Sequence, residues 1–91
     1  MLYMRDTGYA TELKSSSLPF GDGSEARIER LFIKQLGKEE IRFSWWKDNN
    51  IVTRPLDLSE DALIKLMACG IRDGVLSAKF LAALQVELAA S

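Results

Sequence analysis

Residues 40–47 read EIRFSWWK, and this stretch decides the fold class. Two sets of side chains alternate along it: Ile41, Phe43 and Trp45 against Arg42, Ser44 and Trp46. Successive side chains of a strand point to opposite faces, and aromatic residues are enriched in strands. The stretch therefore predicts a β-strand with Trp45 in the core and Trp46 exposed on the other face.

The residues on either side of this strand extend it into a sheet. Asp48-Asn49-Asn50 is a turn sequence, because Asp and Asn tolerate the left-handed region. Residues 51–54 then return as a strand that Pro55 ends. Upstream, residues 25–36 fit either an amphipathic helix or a strand. A third strand would support an otherwise marginal hairpin, so the strand is favoured.

Two helices are predicted after the strands. Ser59 and Ser77 are suited to N-cap positions, and Gly74 is suited to the end of the first helix. The short link between the helices predicts a helical hairpin. The sequence therefore indicates an α+β fold: a small antiparallel β-meander of two to three strands, followed by a C-terminal helical hairpin packed on one face.

The N-terminal segment is predicted to lie outside this domain. Residues 1–24 are expected to form an arm or a short strand near Leu2 and Met4, followed by a Ser/Gly/Pro linker over residues 15–24 (SSSLPFGDGS). Residues 25–91 are then the single α+β domain.

Composition bounds the class of protein. The chain has 91 residues, 47% hydrophobic and 27% charged, which is typical of one globular domain. Its net charge of −1 gives no overall attraction to nucleic acid or to an anionic membrane. The single cysteine allows no intrachain disulfide, and no apolar run approaches the roughly 18 residues of a membrane span. A cytoplasmic location is expected.

Side-chain chemistry argues against an enzyme. The chain has no histidine, the usual group for proton transfer near neutral pH, and Cys69 is predicted to be buried in the first helix. Gly21 and Gly23 lack the spacing of a phosphate-binding loop. Glu12-x-Lys14 is too short a pattern to indicate a metal site. The sequence predicts no catalytic residues, no metal and no cofactor.

The remaining candidate is a partner-binding surface around the exposed tryptophan. Its predicted residues lie on or beside the hairpin: Trp46, Arg42, Ser44, Lys47 and Arg54. An exposed Trp beside an Arg is typical of protein interfaces, and the alanine-rich last helix would allow close helix packing. The favoured function is therefore a protein–protein interaction or homodimer module. The alternative is nucleic-acid binding by the basic and aromatic hairpin. A structural explanation also stays open, in which residues 1–20 fold over Trp46.

Overall fold

The architecture is a four-stranded antiparallel sheet followed by two helices. A computed structural model describes residues 5–91. The elements in chain order are β1 Ala10–Pro19, β2 Ser24–Ile33, β3 Lys38–Lys47, β4 Asn50–Val52, α1 Glu60–Arg72 and α2 Ala78–Ala90. The strand order in the sheet is β1-β2-β3-β4. The α+β class is therefore confirmed, with one strand more than the largest number predicted.

Strand β1 is the element that the sequence interpretation missed. Residues 15–19 belong to β1, so the predicted linker is wrong in its first half. The strand pairs with β2 from Ala10 opposite Ile33 to Pro19 opposite Glu25, with a bulge between Glu12 and Lys14. Serine runs are typical of turns in isolation, but here pairing with β2 overrides that local preference. The short strand considered near Leu2 and Met4 lies outside the described residues.

The predicted central strands are confirmed. Residues 24–33 form β2 rather than the alternative helix, and residues 38–47 form β3. Asp48 and Asn49 have φ values of 48° and 67°, the left-handed conformation that a two-residue hairpin loop requires. The register places Ile28 opposite Phe43.

The hydrophobic core lies between α1 and the β1–β2 half of the sheet. Leu66 of α1, together with Ala26 and Ile28 of β2, is fully buried. α1 comes close to the sheet because Gly70 has no side chain: a Cβ there would lie 3.0 Å from the Cδ1 atom of Ile28. The two layers are therefore in direct contact along this line.

The aromatic side of β3 is not the centre of the core, contrary to the sequence prediction. Trp45 is half-buried, and Ile41 and Phe43 are 36% and 46% exposed. These side chains do share the α1 face of the sheet, as the pairing of Ala26 with Trp45 indicates. However, α1 packs on β1 and β2, so this part of β3 stays incompletely covered.

Helix α2 does not pack on the sheet as the predicted helical hairpin required. It contains no buried residue, and in residues 5–91 the packed pairs of elements do not include it. The link between the helices reaches the core instead, where Val75 and Leu76 are buried. Cys69 lies in α1 as predicted, but it is half-buried and not buried.

Candidate functional site

Trp46 lies on the sheet face away from α1, but it is not exposed. The register places Trp46 opposite Glu25, and Ser44 opposite Arg27, on that face. Trp46 is nevertheless only 7% exposed. The guanidinium carbon of Arg27 lies 3.9 Å from the indole centroid and that of Arg5 lies 4.7 Å from it, both within the range of cation–π contacts. The predicted exposure of Trp46 is therefore wrong. The N-terminal segment does cover it, through Arg5.

Beneath these guanidinium groups, hydrogen bonds connect the indole to a buried carboxylate. Trp46 Nε1 donates to Ser44 Oγ, and Ser44 Oγ donates to Glu29 Oε1, each over 2.9 Å. Arg5 Nη2 donates to Glu29 Oε2 over 2.8 Å. Glu29 is fully buried, and these charge-assisted bonds offset the cost of removing its charge from water.

Glu12 of β1 is a second buried carboxylate beside Arg5. Together with Arg5, Glu29, Ser44 and Trp46 it forms the polar cluster. It is 3% exposed, and its Oε1 atom lies 3.6 Å from Arg5 Nε. That distance is too long for a hydrogen bond, and neither atom has another partner among residues 5–91. The cluster therefore contains a buried acceptor and a buried donor that the described chain leaves unsatisfied.

The two carboxyl groups have opposite pKa shifts. Burial, and then the neighbouring Glu29, raise the pKa of Glu12 to about 7, although Arg5 and Arg27 act against this. Burial would also raise the pKa of Glu29, but hydrogen bonds with Glu12, Ser44 and Arg5 outweigh it, and this pKa is lowered. Below about pH 7 the pair consequently carries one proton, held by Glu12, and above it both groups are ionised.

A cavity of about 680 Å³ opens beside this cluster. Arg5, Glu12 and Trp46 line it on the sheet face, and residues 15–17 of β1 line it at the edge of the sheet. Most of its lining residues are polar or charged, with Trp46 as the aromatic exception, so the arrangement suits a ligand that carries hydrogen-bonding groups.

The five predicted partner-binding residues do not form one exposed surface. Trp46 and Ser44 are buried in the cluster. Arg42 is half-buried, with its guanidinium carbon 5.7 Å from the Tyr9 ring centroid. The two other basic residues are exposed and separately engaged: Lys47 Nζ donates to the Asp22 carbonyl, and Arg54 lies 5.1 Å from the Trp45 ring centroid. Their role in binding a partner, and the nucleic-acid alternative, stay predictions.

Sequence reasoning missed the buried carboxylates and Arg5. Glu29 alternates with Ile28 and Arg30 along β2, which is the usual pattern of a solvent-facing charge. The sequence pattern predicts Glu12 to lie in an arm or short strand, and it gives no reason to expect this residue beside Glu29. A signal becomes visible only when β1 is recognised as a strand, because two mid-strand glutamates then fall on neighbouring strands.

Comparison with protein-family models, with curated proteins and with solved structures gave no match. No helix within residues 5–91 is both long and apolar enough to cross a membrane. The function is therefore inferred from the geometry of this chain.

The raised pKa of Glu12 makes stability depend on pH. The unfolded chain releases this proton near the ordinary value of 4.5, whereas the folded chain holds it up to about 7. Folding is therefore penalised progressively as pH rises between these values, and the penalty is constant above them. We expect Glu12→Gln to gain stability relative to the wild type between pH 5 and pH 8, measured by urea unfolding.

Glu29 adds no pH dependence of its own to the stability over this range. Its pKa is lowered, so its stabilising contribution is complete above the unfolded value of 4.5 and is constant across the same range. The exposed Glu40 offers a matched control, and Glu40→Gln should leave the pH dependence as in the wild type. Equal pH profiles for the wild type and Glu12→Gln would contradict the assignment.

Proposed function

We propose that the protein is a self-associating module in which the α2 helices of two copies pack against each other. The observation that carries this proposal is that α2, a 13-residue helix composed mostly of apolar residues, has no buried residue. A helix of this length is marginal in water unless one face packs against another surface. The proposal includes no catalytic role, and it includes a cytoplasmic location.

The exposed side chains of α2 support an interface. Val86 is 68% exposed, Leu88 is 64% exposed and Phe80 is 37% exposed. Phe80 and Val86 lie three residues before and after Ala83, so they flank it on one side of the helix, and grouped exposed apolar side chains mark interaction sites in soluble proteins. Among the residues of α2, only Leu81 and Leu84 are half-buried against the rest of the described chain. Most of the apolar surface of α2 is therefore free to meet a partner.

The charges on α2 favour a second copy over an unrelated partner. The helix carries two charged side chains, Lys79 and Glu87, placed symmetrically about Ala83. Eight residues correspond to about 12 Å along a helix and turn about 80° around it, so Lys79 and Glu87 lie about 40° to either side of Ala83. An antiparallel pair with its two-fold axis at Ala83 would bring each Lys79 beside the Glu87 of the other copy. The interface would then be self-complementary, as a two-fold dimer requires.

The size of α2 predicts a reversible dimer. At about 1.5 Å per residue the helix is about 20 Å long, so a contact made by α2 alone is smaller than a standard protein interface. Light scattering should therefore show a mass that rises from the 10.2 kDa monomer toward twice that value as the concentration increases. We expect dissociation in the micromolar range.

Charge reversal tests the proposed arrangement. Lys79→Glu places like charges together at both ends of the antiparallel pair, and we expect dimerisation to weaken about tenfold. The double variant Lys79→Glu/Glu87→Lys exchanges the charges and should restore it. Lys65→Glu makes the same charge change on the exposed part of α1 and is the matched control. A strict monomer at millimolar concentration, or a dimer insensitive to these changes, would contradict the proposal.

A further inference from the structure

Strand β1 forms one edge of the sheet, and much of that edge is free in the described chain. Next to Arg5 it already accepts a short antiparallel bridge: Asp6 pairs with Thr11, and the Glu12 N–H donates to the Arg5 carbonyl over 2.8 Å. Within residues 5–91, no strand pairs with the outer side of residues 13–19. Such an edge presents backbone donors and acceptors that an added strand can satisfy.

The 680 Å³ cavity adjoins this edge, and Glu12, whose Oε1 atom is buried and unsatisfied, is one of its lining residues. Ser15 and Ser17 of β1 line it with small side chains that leave the backbone accessible. Glu12 Oε1 belongs to a side chain that is more than nine-tenths buried, and it has no hydrogen-bond partner among the described residues. A buried acceptor of this kind is costly unless a donor reaches it.

The charges around the cavity indicate which donor fits. Its charged lining residues balance each other: Arg5, Arg27 and Arg72 against Glu12, Glu25 and Asp73. Glu29, which is buried against Arg5, adds one further negative charge. The site therefore has one negative charge in excess whenever Glu12 is ionised. One ligand cation with N–H groups would balance that charge and satisfy the oxygen.

We propose that the free edge of β1 binds an extended peptide segment, which adds as a further strand and directs a lysine or arginine side chain into the cavity toward Glu12. Backbone hydrogen bonds to the strand supply affinity in this mode of recognition, and side-chain pockets supply specificity. The existing bridge to Asp6 demonstrates that the edge accepts antiparallel pairing. This surface is separate from α2, so the proposal stands apart from self-association.

The test compares two synthetic peptides by calorimetry at protein concentrations where the protein is monomeric. Both are nine-residue, end-capped peptides of alternating threonine and valine, with lysine at the centre of one and glutamine at the centre of the other. Because a hydrogen bond to a charged group is involved, we expect the lysine peptide to bind at least about tenfold more tightly at pH 8. Amide hydrogen exchange should slow at residues 15–18 when either peptide is bound.

Two variants separate Glu12 from the rest of the cavity. Glu12→Gln should abolish the preference for lysine, whereas Glu25→Gln removes a charge from the same lining and should retain it. In the wild type, the preference should also decrease at pH 6. There, the proton that Glu12 holds while facing Glu29, Arg5 and Arg27 competes with the peptide cation. This pH series keeps the test decisive even if a variant fails to fold.

Several outcomes would overturn the proposal. These are binding of neither peptide at millimolar concentration, equal binding of both, a lysine preference that survives Glu12→Gln in folded protein, and protection confined to α2. Concentration-dependent protection of residues 15–18 without peptide would instead place a second copy at this edge. A protein that binds the lysine peptide and stays monomeric up to millimolar concentration in light scattering would refute self-association and leave this proposal standing.

Discussion

Replacing Leu66 with alanine should lower the free energy of unfolding by about 2–5 kcal/mol, the usual cost of removing a buried leucine side chain. Leu66 is fully buried and is the α1 residue at the centre of the core, beside Ala26 and Ile28. Close packing at Gly70 fixes the distance between α1 and the sheet. The space that the missing leucine side chain leaves can therefore close only in part. Urea denaturation with an unchanged m-value would measure the loss.

The matched control lies two residues away on the same helix. Ile64 is 66% exposed, so Ile64→Ala removes a side chain of the same size from a solvent-facing position. Substitutions at such positions usually change stability by less than about 0.5 kcal/mol. Similar losses for Leu66→Ala and Ile64→Ala would mean that α1 does not present the face described here.

Replacing Arg5 with methionine should destabilise the protein by about 3 kcal/mol near pH 7. The substitution removes the cation that pairs with Glu29 and leaves a fully buried carboxylate without its ion partner. Breaking a buried pair in this way is strongly destabilising, because the remaining charge has lost water as well as its partner. The loss should decrease at lower pH, because the unpaired Glu29 gains a proton more readily.

A second change in the same variant tests this explanation. Adding Glu29→Gln to Arg5→Met removes the stranded charge and should recover part of the loss, which a double-mutant cycle would measure. Arg72→Met is the surface control, because Arg72 pairs with Asp73 while its side chain is 68% exposed. Such exposed pairs contribute about 0–1 kcal/mol. Equal losses of stability in Arg5→Met and Arg72→Met would show that the ion pair of Arg5 with Glu29 contributes no more than an exposed pair.

The parts of the fold that the sequence predicted are those encoded by neighbouring residues. Ser59 and Ser77 both cap their helices as expected, accepting hydrogen bonds from the backbone N–H groups of Ala62 and Phe80. The turn at Asp48-Asn49 adopts the left-handed conformation that its composition favours. Caps and two-residue turns depend on contacts within about four residues, so local patterns suffice to predict them.

The parts that were missed depend on contacts between distant segments. The alternation along β3 correctly separates its two faces, but it does not reveal that α1 covers β1 and β2 instead. Trp45 therefore stays half-buried. Trp46 becomes buried because Arg27 from β2 and Arg5 from the N-terminal segment lie over its ring. The cluster of Glu12 and Glu29 was hidden for the same reason, since it forms only after β1 joins the sheet.

The bulge in β1 makes this one strand behave as two half-strands in opposite phase. Before it, Glu12 pairs with Leu31 and faces the polar cluster; after it, Lys14 and Ser16 pair with Arg30 and Ile28 on the α1 side. Even-numbered side chains of β1 thus face the polar cluster before the bulge and the α1 side of the sheet after it. A single extra residue lets one strand supply both a carboxylate to one face and core contacts to the other.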